Sequence, residues 1–197
     1  IKPKTGWLDI QLGELFRYRD LIYMFVKRDF VTFYKQTILG PLWYIIQPLV
    51  NTLVFTIIFG KVAKISTDGT PPFIFYMVGT VAWGYFATCL QLTSNTFVNN
   101  AQIFGKVYFP RLTVPVASVI SSLLMFGIQF IIFLGFLIYF MLQGSEVQPN
   151  ALIFIMPLLL LQMAVLGLGF GILISSLTTK YRDLTFVMGF AVQIGFS

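Results

Sequence analysis

Histidine is absent from this 197-residue chain, cysteine occurs once, at Cys89, and charged residues make up only 10% of the total. One cysteine and no histidine give no disulfide framework and no recognisable zinc or haem spacing, so metal and thiol chemistry are not expected. A soluble domain carries roughly 25% charged residues, whereas 57% of this chain is hydrophobic and its mean hydropathy is +0.86. This composition excludes a soluble fold.

Long stretches of the chain carry no charge. Four of them exceed the roughly 20 residues that a membrane-spanning helix needs, and a fifth runs from residue 184 to the end. The predicted spans are residues 41–60, 72–93, 113–142, 151–177 and 184–197, the last incomplete. The sequence therefore predicts an all-α polytopic membrane protein, with an N-terminal region (residues 1–36) and a transmembrane domain (residues 37–197). Because the last apolar run is cut short, we expect the chain to be a piece of a longer protein.

The basic residues predict an orientation. With the N-terminus in the cytoplasm, eleven lysines and arginines lie on the cytoplasmic side, and only Lys61 and Lys64 lie outside. This asymmetry and the anionic inner leaflet account for the net charge of +6 without a nucleic-acid partner.

Residues 21–36, ahead of the first span, have the pattern of a basic amphipathic helix. The apolar side chains of one face are Ile22, Val26, Phe30 and Phe33. Lys27, Arg28 and Lys35 lie on the other face. Such a helix lies in the cytoplasmic membrane interface, either with a function of its own or as a simple anchor for the following span.

The predicted spans contain no Asp, Glu, Lys, Arg or His, which disfavours an ion-driven carrier. The chain also has no G-x-x-x-x-G-K-[ST] phosphate loop, so any pumping must be powered by a partner. Paired carboxylates in a membrane-facing pocket are not predicted, which argues against a membrane-embedded transferase.

Amides are the main polar groups within the spans, at Gln47, Asn51, Gln91, Gln129, Gln162 and Gln193. They could bond to sugar hydroxyls in a wet conduit or to neighbouring helices, which is the commoner use. The candidate conduit-lining residues are Trp43, Tyr44, Gln47, Asn51, Trp83, Tyr85 and Phe86, although lipid contact is the ordinary use of such aromatic residues. Small residues four apart, at Gly167, Gly171 and Ser175, predict close helix packing.

Residues 94–111 form a polar extension of the second span with unusually many large apolar groups. The candidate contact residues are Asn99, Asn100, Ile103, Phe104, Lys106, Tyr108 and Arg111. This composition favours docking into a groove on a cytosolic partner, although contact with the membrane surface would also accommodate it.

Three segments carry a resemblance to a known family: KRDFVTFYKQTILGPLWYIIQPLV (residues 27–50), NNAQIFGKVYFPRLTVP (99–115) and SSLTTKYRDL (175–184). In order and topology they resemble the permeases of ABC exporters for polysaccharides of the O-antigen, capsule and teichoic-acid type. The resemblance implies a homodimer of six-span permeases in the bacterial inner membrane, with two separate ATP-binding subunits that hold ATP and Mg²⁺. This chain itself would then hold no cofactor and would not be an enzyme.

The resemblance also implies roles for individual segments. Residues 21–36 become an interfacial gate helix that meets the diphosphate of a lipid-linked polysaccharide, and residues 94–111 become the segment that couples to the ATPase. A second cytoplasmic contact falls on Lys180, Tyr181, Arg182 and Asp183. The alternatives are a drug or lipid exporter of the same class, a membrane-embedded enzyme of glycan-lipid synthesis and a passive scaffold.

Overall fold

The computed structural model describes residues 12–36, 42–67, 69–106, 108–145, 151–178 and 184–196, and the regular structure in these ranges is helical. In chain order the helices are α1 (Leu12–Arg17), α2 (Arg19–Gln36), α3 (Trp43–Phe55), α4 (Pro72–Ser94), α5 (Thr96–Asn99), α6 (Ala101–Phe104), α7 (Thr113–Leu142), α8 (Met156–Thr178) and α9 (Leu184–Phe196). A π-helical segment, Thr56–Val62, extends α3, and a 3₁₀ turn, Ala151–Ile155, precedes α8.

Four of these helical segments are long and apolar enough to cross a membrane: Ile45–Val62, Pro72–Ser94, Thr113–Leu142 and Ile153–Thr178. A helix pairs its own backbone N–H and C=O groups, for which hydrocarbon offers no hydrogen-bond partner. A charge-free segment in a bilayer therefore folds as a helix. The predicted all-α polytopic fold is confirmed. Helix α9 occupies the fifth apolar stretch and covers 13 residues.

Helix α4 is the central element of the transmembrane region. It contacts α3, α7, α8 and α9. Its residues Met77, Val81, Tyr85 and Cys89 form a buried cluster with Phe126 of α7. One face of α4 lies in this core, and its other faces contact α3 and α9.

The predicted stripe of small residues brings α8 against α4. A methyl group added at Gly167 would lie 2.8 Å from Cβ of Cys89, and one at Gly171 would lie 2.5 Å from Cβ of Thr93. Ser175 is fully buried. The two backbones approach too closely for larger side chains, so the packing interpretation of this stripe is confirmed.

Candidate functional site

Helix α2 is joined to the segment after α4 by a shared apolar core. Ile22, Phe25 and Val26 on α2 are buried with Phe109 and with the first turns of α7. The apolar face of α2, which the sequence pattern predicts to contact the membrane, thus also packs on protein. Phe25 is buried with this face. Phe30 is half-buried, and the side chain of Phe33 lies outside the described residues.

A row of aromatic rings runs through this core from α2 into residues 94–111. The ring centroids of Phe25 and Phe109 are 6.0 Å apart, those of Phe109 and Phe104 are 5.5 Å apart, and those of Phe104 and Phe97 are 5.7 Å apart. Half-buried Ile103 packs against the same core. Phe104 and Ile103 are therefore internal contacts of the segment.

Polar contacts reinforce the junction. Nη1 of Arg28 donates to Oδ1 of Asn100 at 3.3 Å, and Nη2 donates to Oδ1 of Asp29 at 2.8 Å. The Arg28 guanidinium also lies 4.9 Å from the centre of the Phe25 ring, a cation–π distance. Arg28 thus has protein partners, whereas Lys27 is exposed and the side chain of Lys35 is outside the described residues.

The end of α8 also contacts residues 94–111. The backbone N–H of Phe97 donates to Oγ of Ser175 at 3.1 Å, and the hydroxyl of Thr178 lies 3.4 Å from the carbonyl oxygen of Ser94. We call α2, residues 94–111 and Ser175 to Thr178 of α8 the coupling unit, after the role that the resemblance implies for residues 94–111. The predicted second contact, Lys180, Tyr181, Arg182 and Asp183, follows directly and lies outside the described residues.

The outer surface of the coupling unit differs from its core. Tyr108 is 90% exposed, although its neighbour Phe109 is only 7% exposed. Asn99, Lys106 and Arg111 are also exposed. These four exposed residues offer a partner an aromatic side chain, two cations and an amide.

A second candidate site is a cavity between α3, α4, α7 and α9. Its volume is about 350 Å³, and the amides of five residues line it: Gln47, Asn51, Gln91, Gln129 and Gln193. Thr80, Thr88 and Trp83 also contribute to its wall. We call this space the amide cavity. The structure thus brings together five of the six span amides, and Gln162 on α8 is the exception.

A larger space of about 690 Å³ adjoins the amide cavity, and Thr80 and Trp83 line both. Its wall is aromatic, with Phe55, Phe59 and Tyr76 among its residues. The indole N–H of Trp83 and the hydroxyl of Tyr76 are buried without a hydrogen-bond partner among the described residues. The two spaces follow one side of α4 from Gln91 toward its N-terminal end.

Comparison with known proteins places this architecture in a family. The sequence profile of the ABC-2 type transporter family matches residues 20–197. This chain belongs to that family. An ABC-2 transporter component is a membrane permease that works with an ATP-binding subunit. The ABC-2 match includes α2, the rest of the coupling unit and both cavities.

Curated relatives of this ABC-2 chain are export permeases. The O-antigen export system permease protein RfbA of Klebsiella pneumoniae is 26% identical over 185 residues, which cover 94% of this chain and 68% of the relative. A protein of the same name from Myxococcus xanthus is 24% identical over 185 residues, covering 93% of this chain and 68% of the relative. The likeness thus extends over nearly the whole ABC-2 chain.

The ABC-2 structure separates the candidate conduit residues into three groups. Gln47, Asn51 and Trp83 line the amide cavity. Tyr85 lies in the core against Phe126, at 5.2 Å between ring centroids, and lines neither cavity. Trp43 is half-exposed and Phe86 packs 5.6 Å from Trp83, both outside the walls of the two cavities, and the side chain of Tyr44 is not described.

Sequence reasoning missed several contributors to the ABC-2 coupling unit and cavity. Phe25 is three residues after Ile22 and belongs to the same helix face, so a wider apolar arc would have included it. Thr80 and Thr88 line the cavity because of how α4 is rotated about its axis, and the apolar sequence on all sides of this helix does not specify that rotation. Among the described residues no group of His, Cys, Asp or Glu is arranged to hold a metal ion.

Proposed function

We propose that this chain is the membrane-spanning channel subunit of an ATP-driven exporter that moves a lipid-linked polysaccharide out of the cytoplasm. The observation that carries the proposal is the match of nearly the whole chain to O-antigen export permeases. The glycan is of the O-antigen, capsule or teichoic-acid type, and its lipid carrier bears a diphosphate.

The assembly has two copies of this permease and two ATP-binding subunits in the bacterial inner membrane. ATP and Mg²⁺ are bound by the ATP-binding subunits, and this chain carries no catalytic residue. The N-terminus and the coupling unit lie in the cytoplasm, which agrees with the distribution of lysine and arginine.

The contacts within the coupling unit support a mechanical role. Exposed Tyr108, Lys106 and Arg111 engage the ATP-binding subunit, while the buried aromatic row and the Arg28–Asn100 hydrogen bond join the same segment to α2. Packed side chains transmit displacement because they are close-packed and resist compression. Closure of the ATP-binding subunits thus moves α2 together with residues 94–111.

Basic residues on α2 receive the diphosphate of the carrier. Lys27 is exposed on α2, and an ammonium at headgroup depth attracts a phosphate as a point charge. Lys35 lies two turns further along the same helix. Arg28 supports this surface from within the coupling unit, through its bonds to Asp29 and Asn100.

Co-purification followed by an ATP hydrolysis assay tests the proposal. The permease, expressed with a candidate ATP-binding subunit from the same organism, is expected to retain that protein in mild detergent. In lipid nanodiscs the complex should hydrolyse ATP several-fold faster with carrier-linked glycan than with the bare carrier. A complex that hydrolyses ATP but responds to a drug or phospholipid and never to glycan would support the other exporter class. Turnover of a glycan lipid by the chain alone would contradict the proposal.

A further inference from the structure

The amide cavity contains polar groups that the protein itself leaves unmatched. Among the described residues, the side-chain amides of Gln47, Asn51, Gln91 and Gln129 make no hydrogen bond. They line the cavity from three helices, and Oε1 of Gln129 on α7 lies 3.9 Å from the position of a Cβ built on Gly84 of α4. The described contacts therefore do not use these four amides to join helices.

An occupant of this cavity must be polar. An amide moved from water to an apolar environment without a hydrogen bond costs roughly 1–3 kcal/mol by protein mutational data. A lipid tail or an apolar drug would leave several amides unmatched at once. Water or a ligand rich in hydrogen-bonding groups would satisfy them.

The occupant should also be neutral. No Asp, Glu, Lys, Arg or His is found among the described lining residues, so the cavity has no counter-charge for an ion or a diphosphate. Each amide offers both donors and an acceptor, as each sugar hydroxyl does. The ring of Trp83 adds a flat apolar surface on which the C–H groups of a sugar ring can pack.

The position of the cavity fits a path through the membrane. Thr80 and Gln91 line it from positions eleven residues apart on α4, a distance of about 16 Å along the helix. Gln91 lies next to the coupling unit, and Thr80 leads into the aromatic space. About half of a hydrocarbon core near 30 Å thick is thus lined by polar groups.

We propose that the amide cavity is a binding site for neutral, hydroxyl-rich sugar residues of the exported glycan. This inference rests on the proposed function and adds to it a place where the sugar, as distinct from the diphosphate, is recognised. The volume of about 350 Å³ suits a short stretch of the glycan at one time.

A second copy of this chain is the competing occupant, because Gln47, Gln91 and Gln193 are open at the surface of the single chain. Amides buried between two copies would stabilise the dimer. The experiment must therefore measure both the response to glycan and the oligomeric state.

The test uses Gln47→Met and Gln91→Met in the permease–ATPase complex in nanodiscs. Methionine keeps the length of glutamine and removes its hydrogen bonds, and neither position belongs to a buried core cluster. Gln162→Met is the matched control, since Gln162 is an exposed span amide that lines neither cavity. ATP hydrolysis is titrated with polyprenyl-diphosphate-linked glycan extracted from the cells that produce it and with bare polyprenyl diphosphate.

Each cavity variant is expected to need roughly fivefold more glycan carrier for half-maximal stimulation, the effect of one lost neutral hydrogen bond. The response to bare carrier should change less than the response to glycan carrier, and the Gln162→Met control should match the wild type with both. Gln47→Asn, which restores an amide, should recover part of the loss.

Unchanged half-maximal concentrations in Gln47→Met and Gln91→Met would overturn the inference and leave the proposed function intact. Loss of the dimer in light scattering, with an unchanged response to glycan, would also overturn it and assign the amides to the second copy. A wild-type complex that shows no response to glycan would overturn the proposed function, and this inference with it.

Discussion

The absence of a side chain at Gly171 allows α8 to approach α4 closely. Gly171→Ala would place a methyl group 2.5 Å from Cβ and 2.7 Å from Cγ2 of Thr93, which is fully buried. Overpacking of this kind costs about 1–3 kcal/mol, or roughly 2–4 °C in melting temperature per kcal/mol for a chain of this size. Thermal unfolding of the purified variant in detergent should show the loss.

Gly169→Ala is the matched control, because Gly169 lies on the same helix, is exposed and has no atom within 4 Å of an added Cβ. Alanine favours a helix over glycine by about 1 kcal/mol, so this variant should be as stable as the wild type or more so. Equal destabilisation by both substitutions would show that close packing at Gly171 is not the cause.

Lys27 tests the electrostatic role of α2. Lys27→Glu should lower export several-fold if the substrate is the proposed diphosphate-linked glycan, because it replaces an exposed cation with an anion that repels a diphosphate. The amount of inserted protein should change little. The control is Lys61→Glu, which reverses an exposed charge in the π-helical segment that extends α3. This variant should leave export near the wild-type level. If Lys27→Glu reduced insertion and export equally, α2 would be an anchor only.

Individual residues differ in how far local sequence predicts their contacts. The four-residue spacing of Gly167, Gly171 and Ser175 is a local pattern, so it predicts that another helix packs closely on α8, as α4 does. No local pattern predicts the contact of Gly195 with Trp83, because the two residues are more than a hundred positions apart in the sequence. A Cβ added at Gly195 would lie 2.7 Å from Cη2 of the Trp83 indole. The span amides are visible in the composition, but their convergence depends on how four helices are rotated.

At the scale of the element, substitutions at Tyr108 and Phe109 distinguish a role in partner contact from a role in folding. Tyr108→Ala should leave the melting temperature unchanged and weaken retention of the ATP-binding subunit, because its side chain projects from the coupling unit. Phe109→Ala should lower stability by about 3–5 kcal/mol, because it removes a buried ring that contacts Phe25 and Phe104. Melting curves and pull-down yields from the two variants give the comparison.

The opposite result for Tyr108→Ala would mean that the ATP-binding subunit contacts another surface. If Tyr108→Ala retained the partner fully and supported normal ATP-driven export, the exposed aromatic side chain would have no part in coupling. Phe104→Ala then provides a second measurement, since Phe104 is internal and its loss should act through stability and not through surface contact.

The periodicity of α2 predicts an amphipathic helix but not its partner. Arg28 and Asn100 are 72 positions apart, and Phe25 and Phe109 are separated by more than 80. Local patterns carry no information about such contacts. Helix α2 and residues 94–111, which have separate roles when their patterns are considered alone, thus prove to share one core.

At the scale of the whole molecule, the bilayer explains why the fold class was predictable and the arrangement was not. Charge-free stretches must form helices in hydrocarbon, so composition alone gives the class. The usual rule that the most apolar face is buried fails, because lipid is as apolar as the core. Here the central helix buries Thr80, Thr93 and Ser94, while α8 exposes many leucines to the outside.

The orientation of the whole chain gives the last prediction. Helix α4 has 23 residues and is about 34 Å long, so the loop before it and the coupling unit after it lie on opposite sides of a bilayer. The lysine and arginine distribution predicts that the coupling unit lies on the cytoplasmic side. In a Cys89→Ala background, a membrane-impermeant maleimide applied to spheroplasts should label Ile65→Cys, and should label Lys106→Cys only after permeabilisation.

Both labelling positions are exposed, and the native cysteine is fully buried, so the background substitution removes little reactivity of its own. Labelling of denatured protein controls for expression of each variant. The reverse pattern would put Tyr108 and its neighbouring cations outside the cell. No cytosolic ATPase could then reach the coupling unit, because its contact surface and the ATP would lie on different sides of the membrane.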